Sequence, residues 1–316
     1  MTTAAELASY ASSFPSFRNK IINGNFDIWQ RGTSQTSSDY GSADRWRMIN
    51  NGSTKTASQQ AFTLGQTDVP GNPKYYLRHV VSSVAGAANY CVAQPRIEGV
   101  QTLAGQTATV SFWAKADANK NIATEISQRF GTGGSPSAGV DGIGVTIYSL
   151  TTSWQKFTTT VSIPSISGKT IGSNGSDRLD VLFWFDAGSD FNSRTNSLGQ
   201  QSGTFDIAQV QLEEGTVATP FEHRPYGAEL ALCQRYYQTS TAYCYIAAKS
   251  GSSTGLIYSE LPVVMRSAGY GTILSTSATI GADWTIDSIT NSSVAFGNTS
   301  TGELRQVITY SLTSEL

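Results

Sequence analysis

Charge is scarce in this chain. Asp, Glu, Lys and Arg make up 14% of its 316 residues, and 21 basic against 23 acidic side chains leave a net charge of −2. Binding to nucleic acid through phosphates needs a basic stripe, so this balance argues against a nucleic-acid partner. Cysteine is scarce too: Cys91, Cys233 and Cys244 are odd in number and unrelated in spacing. They make no disulfide framework, and with two distant histidines no zinc site; buried free thiols are expected. No apolar run approaches the roughly 20 residues that span a bilayer, so no membrane insertion is expected. Residues 1–14 lack the basic start and apolar block of a signal peptide, which implies synthesis in the cytoplasm.

The groups that catalysis needs are also missing. Gly131-Thr-Gly-Gly lacks the Lys and the following helical pattern of a phosphate loop, and Gly-x-Ser-x-Gly does not occur. His79 lies in the strand-like run Tyr75–Val80 and reads as a paired surface or edge residue. His223 lies in a linker, and neither suits a Ser–His–Asp triad. Glu213 and Glu214 are adjacent on a strand and point to opposite faces. Asp186 and Asp190 share a loop and are the acidic pair able to approach one another. The expectation is a protein that is not an enzyme.

Hydroxyl groups are abundant. Ser and Thr number 77 and Gly 30, while the 39% apolar share is too high for disorder. Period-2 alternation runs through Thr107–Trp113, Lys156–Ile163, Leu179–Phe185 and Thr204–Leu212, with Gly-rich turns between. This predicts an all-β fold, an antiparallel sandwich or barrel. A short helix is expected over 1–13, capped by Thr3 with Glu6 three residues on. A second helix is expected over 227–238, with Leu230, Cys233, Gln234 and Tyr237 on one face. Short strands return at Tyr243–Ala248, Gly255–Leu261, Tyr270–Leu274, Ala282–Ile286, Ser293–Phe296 and Glu303–Leu312. The expected organisation is an N-terminal helical anchor (1–18), a β-sandwich (19–226), a junction helix (227–240) and a small C-terminal β tip domain (241–316).

Aromatic rings pack in cores or stack on sugar rings. Trp113, Trp154 and Trp184 fall within or at the ends of strands and are expected in the core. Trp29 and Trp46 flank the loop Arg31–Tyr40, and Tyr270 and Trp284 sit in the small C-terminal unit. These four are the candidate glycan-binding residues.

A series of segments carries a resemblance: Ile21-Ile-Asn-Gly-Asn-Phe-Asp-Ile-Trp-Gln-Arg-Gly32, Ala43-Asp-Arg-Trp46, Ser111-Phe-Trp-Ala-Lys115, Thr152-Ser-Trp-Gln-Lys-Phe157, Asp206-Ile-Ala-Gln-Val-Gln-Leu-Glu-Glu-Gly215 and Thr219-Pro-Phe-Glu-His-Arg-Pro-Tyr226. In this order they resemble bacteriophage tail fibre and related virion proteins over residues 19 to about 240. The opening and closing elements are also similar to jelly-roll carbohydrate-binding modules of the cellulose- and xylan-binding kind. That likeness implies an antiparallel jelly-roll β-sandwich. It also implies a structural calcium at the positions of Asn25, Asp27 and Asp206; no other cofactor is expected. The resemblance implies a homotrimeric tail fibre of the virion. Its residues 1–18 would dock on a tail or baseplate protein, and it would bind a host cell-surface polysaccharide. Two alternatives remain: a head-decoration or other non-receptor virion protein, and a tailspike-like enzyme that cleaves polysaccharide.

Overall fold

The computed structural model describes residues 17–249, 255–268, 270–278, 284–290, 292–298 and 302–316. The helix expected over 1–13 lies outside them. The chain divides into two compact units, residues 1–226 with Leu316, and residues 227–315.

The first unit contains β1 (Ser34–Gln35), β2 (Trp46–Asn51), β3 (Thr54–Ala61), β4 (Tyr75–Ser82), β5 (Tyr90–Glu98), β6 (Thr107–Ala116), β7 (Lys120–Arg129), β8 (Val140–Leu150), β9 (Gln155–Ser162), β10 (Arg178–Ala187) and β11 (Gly203–Glu214). They form a jelly-roll β-sandwich. One sheet runs β1-β3-β4-β11-β6-β9 and the other β2-β5-β10-β7-β8. Every pairing is antiparallel. The alternation read from sequence sets the interior: Ala108, Val110, Phe112 and Ala114 of β6 meet Val181, Phe183 and Phe185 of β10 in one core.

One expectation fails on burial, and another holds with a different partner set. His79 is fully buried, its ring stacked on Phe185 at 4.4 Å, and neither ring nitrogen has a hydrogen-bond partner. Its strand alternates inward at Leu77, His79 and Val81, so it takes a core position. Burial pushes its pKa down to about 3. Trp184 is buried, as expected, but not between the sheets. It alternates with Phe183 and Phe185 and so faces outward from β10. There it packs with Val92 and Leu182 and is roofed by Phe191 and Leu198. The roof includes the 3₁₀ turn Ser189–Phe191 and the helix Asn192–Thr195. Glu125 beneath it accepts from Trp184 Nε1 at 3.2 Å and from the Arg194 guanidinium.

The segment Ile21–Ile28 is a compact turn rather than a strand, and it fastens the start of the unit to β11. Asn19 Nδ2 donates to the Val210 carbonyl at 3.0 Å, and Asn19 Oδ1 accepts from Leu212 N at 3.0 Å. Asn23 Nδ2 donates to the carbonyls of Ile28 and Asp44. Gly24 lies against β11 so closely that a Cβ there would stand 2.1 Å from the Val210 carbonyl oxygen. Arg18 also belongs to this body, with its Nε 3.1 Å from Glu213 and its amide bonded to Glu222.

The second unit begins with a helix, Tyr226–Gln234, shorter than expected, whose buried residues are Glu229 and Cys233. Tyr237 already opens β12 (Tyr237–Lys249), so it shares no helical stripe. With β13 (Gly255–Glu260), β14 (Tyr270–Ala278), β15 (Trp284–Ile289), β16 (Ser293–Asn298) and β17 (Gly302–Thr313) it makes two three-stranded antiparallel sheets, β12-β17-β14 and β13-β16-β15. Met265, Val294, Phe296, Ile308, Tyr310 and Leu312 form its core. Cys91 and Cys233 are buried free thiols, and burial raises Cys91 to about 12. The Cys244 side chain lies outside the described residues. Among the described residues, no helix is long and apolar enough to cross a membrane.

Candidate functional site

The structure scatters the residues singled out from sequence. Trp46 is wholly buried between Phe26 and Phe183, its indole N–H donating to the Asn23 carbonyl at 3.1 Å. It opens β2 at a core position and cannot stack on a ligand. Trp29 is half-buried and lines an open cleft of about 440 Å³ together with Asn25, Asp27, Lys74, Tyr75 and His223. Asn25 Nδ2 donates to Asp27 at 2.8 Å, and burial raises the Asp27 pKa against that hydrogen bond. Asp206 does not line this cleft. Its two oxygens accept from Arg78 Nε and a second guanidinium nitrogen at 2.8 and 2.9 Å. The three positions implied for calcium therefore do not form one ligand set, because a bidentate guanidinium already occupies the third carboxylate. Among the described residues, no group of three or more His, Cys, Asp or Glu side chains is placed to hold a metal. In the second unit Tyr270 is 86% exposed. The Trp284 side chain lies outside the described residues.

The acidic residues weighed for catalysis have structural partners instead. Asp186 is buried and accepts from Ser53 Oγ, Ser83 Oγ and Gln201 N, while Asp190 is exposed. Glu213 is buried and accepts from Thr219 and Gln211.

A different surface gathers aromatic rings. Because Leu77, Phe112 and Ala114 point into the core, Tyr76, Arg78, Trp113 and Lys115 point out from the six-stranded sheet. Ring registry follows strand registry. Arg78 faces Asp206, Asp206 faces Lys115, and Trp113 faces Lys156 on β9. Trp154, just ahead of β9, lies over this face. Its ring is 5.2 Å from both Phe62 and Tyr76, and those two are 4.8 Å apart. Lys115 Nζ stands 5.3 Å from the Trp154 ring and Arg78 lies over Tyr76 at 5.7 Å. Beside this cluster a cleft of about 240 Å³ opens, with Trp113, Lys156 and Ser111 on the sheet and Gly71, Phe221 and His223 on the loops above. Gln209, whose φ of 47° marks the bulge in β11, also lines it. His223 rims both clefts.

Trp113 and Trp154 were expected in the core and are instead half-exposed here. For Trp113 the corrective signal was present. If Ala108, Val110 and Phe112 face inward, then Trp113 shares the outer face with Thr109, Ser111 and Lys115. Tyr76 follows in the same way from Leu77 and Val81.

No protein-family model matches the chain, and no curated protein does. Solved structures similar to it include the CBM22-2 xylan-binding domain of Paenibacillus barcinonensis Xyn10C. It is 14% identical with a TM-score of 0.35, over 62% of this chain and 98% of that one. A family 11 carbohydrate-binding module from Clostridium thermocellum is 11% identical with a TM-score of 0.34, over 59% and 98%. The enzymatically active domain of bacteriophage CBA120 tailspike protein 4 is 13% identical with a TM-score of 0.34. That match spans 64% of this chain and 22% of the tailspike domain.

Proposed function

We propose that the first unit binds a host-surface glycan on the outer face of its six-stranded sheet. The carrying observation is the set of outward rings Tyr76, Trp113 and Trp154, with Phe62, beside an open cleft. Half-exposed aromatics on a rigid sheet give flat apolar platforms for sugar faces, and Ser111 and Gln209 supply hydrogen-bonding groups at the cleft. Binding rather than cleavage is the role proposed, because Asp186 and Glu213 are held by neighbouring side chains. The test is a glycan array read with the intact protein and with Trp113→Ala and Trp154→Ala. Both variants should melt near the parent temperature and lose glycan signal; unchanged binding by both would remove this face from the function.

The wider role we propose, supported by the ordered sequence segments, is that of a homotrimeric phage tail fibre. In it, residues N-terminal to Arg18 dock on the tail or baseplate. Multiple copies would let weak saccharide contacts hold a virion to a cell. A second contact surface at the C-terminal unit is favoured by Tyr270, a large ring left in solvent at the start of β14. Loss of host adsorption in Tyr270→Ala with an unchanged glycan array would assign adsorption to that unit.

A further inference from the structure

We propose that the saccharide taken by this face is anionic, carrying carboxylate or phosphate groups along its chain. The inference rests on the glycan reading above and names its substrate class. The chain as a whole is net acidic, yet Arg78, Lys115 and Lys156 stand on this face in adjoining register rows. Two carboxylates share the face, Asp206 and Glu213, and both are buried and already paired. Arg78 grips Asp206 with two hydrogen bonds, and Arg18 Nε lies 3.1 Å from Glu213. Lys115 remains 3.8 Å from Asp206 and leans over Trp154. Lys156 is exposed and has no hydrogen-bond or ion-pair partner among the described residues. Cross-strand pairing sets it beside Trp113 at the 240 Å³ cleft. The neighbouring cleft holds a carboxylate, Asp27, beside Lys74 and His223, whereas the 240 Å³ cleft is lined by no carboxylate. An ammonium is a strongly hydrated point charge. A neutral sugar stacked on Trp113 would strip water from Lys156 and return little for it. An anionic substituent returns a charge-assisted hydrogen bond in the same place.

The experiment is affinity electrophoresis of the full chain at low and physiological salt. The gels contain hyaluronan or polygalacturonate, each also in carboxyl-reduced form, or a poly(glycerol phosphate) teichoic acid. Retardation is expected in at least one charged polymer. It should fall tenfold or more in the reduced counterpart and in Lys156→Gln, and should be unchanged in Lys169→Gln, an exposed lysine off this face. Retardation by the teichoic acid alone supports the inference and names phosphate as the anion. Equal retardation by reduced and charged polymers, or by Lys156→Gln and the parent, overturns it while leaving the glycan reading intact, provided Trp113→Ala abolishes binding. No retardation by any polymer, or full retardation of Trp113→Ala, overturns both.

Discussion

At the scale of single residues, the sandwich depends on side chains whose burial could not be read from residue type. His79 is neutral in the folded core, with its pKa near 3, whereas an unfolded chain titrates it near 6.5. Below about pH 6.5 the unfolded state therefore binds a proton that the folded state refuses. This lowers stability by up to about 1.4 kcal/mol per pH unit until roughly pH 3. Chemical denaturation of His79→Phe should show a shallower loss of stability from pH 6.5 to 4 than the parent; parallel curves would mean the ring is accessible to protons. Gly24 has a different constraint. Any Cβ there meets the Val210 carbonyl, so Gly24→Ala should destabilise by about 1–3 kcal/mol, read as a melting temperature several degrees lower. The Asn-Gly-Asn segment was visible in sequence as a motif, but its role as a turn tied to β11 was not. That role rests on the contact of Gly24 with Val210, 186 residues further along the chain.

At the scale of elements, strands were the legible part. Alternation located β6, β9, β10 and β11 to within a few residues, since one buried face enforces period 2. It does not tell which of two apolar clusters a ring joins where both faces of a strand carry apolar groups. In Leu179–Phe185 the inward residues build the main core, and the outward Leu182 and Trp184 are hidden under the 188–202 segment. That segment has no apolar period of its own, and in sequence only the Gly188-Ser-Asp190 turn signal marks it. Its anchor is Arg194, which pairs with the buried Glu125 and lies over Trp184 at 5.0 Å. Arg194→Ala would leave that carboxylate buried without a cation, so a loss of about 3–5 kcal/mol is expected in urea unfolding. Limited proteolysis should also begin within 188–202; a parent-like midpoint would mean the segment is held by Phe191 and Leu198 alone. The expected end of the helix after Gln234 was overrun by β12, whose pairing with β17 decides the conformation of Tyr237 and Gln238.

At the scale of the whole molecule, the two units have separate cores, and the candidate glycan face belongs to the first. The sequence pointed to glycan binding through the resemblance but not to this face, because the rings that form it come from β4, β6 and the segments next to β3 and β9. Arg18 is tied into the sandwich through Glu213 and Glu222. Removal of residues 1–16 should leave the melting temperature of the sandwich unchanged and abolish incorporation into particles. Removal through Arg18 should also lower the melting temperature, because Glu213 loses its cation. Sedimentation of the intact chain should give a trimer, and a stable monomer at micromolar concentration would contradict the fibre assembly. The most direct test of the central claim is hydrogen–deuterium exchange of the intact protein with and without a saturating glycan ligand. Slowed exchange is expected in β4, β6 and residues 215–225, with residues 227–315 unaffected. Protection confined to the second unit, or on the five-stranded sheet, would contradict it.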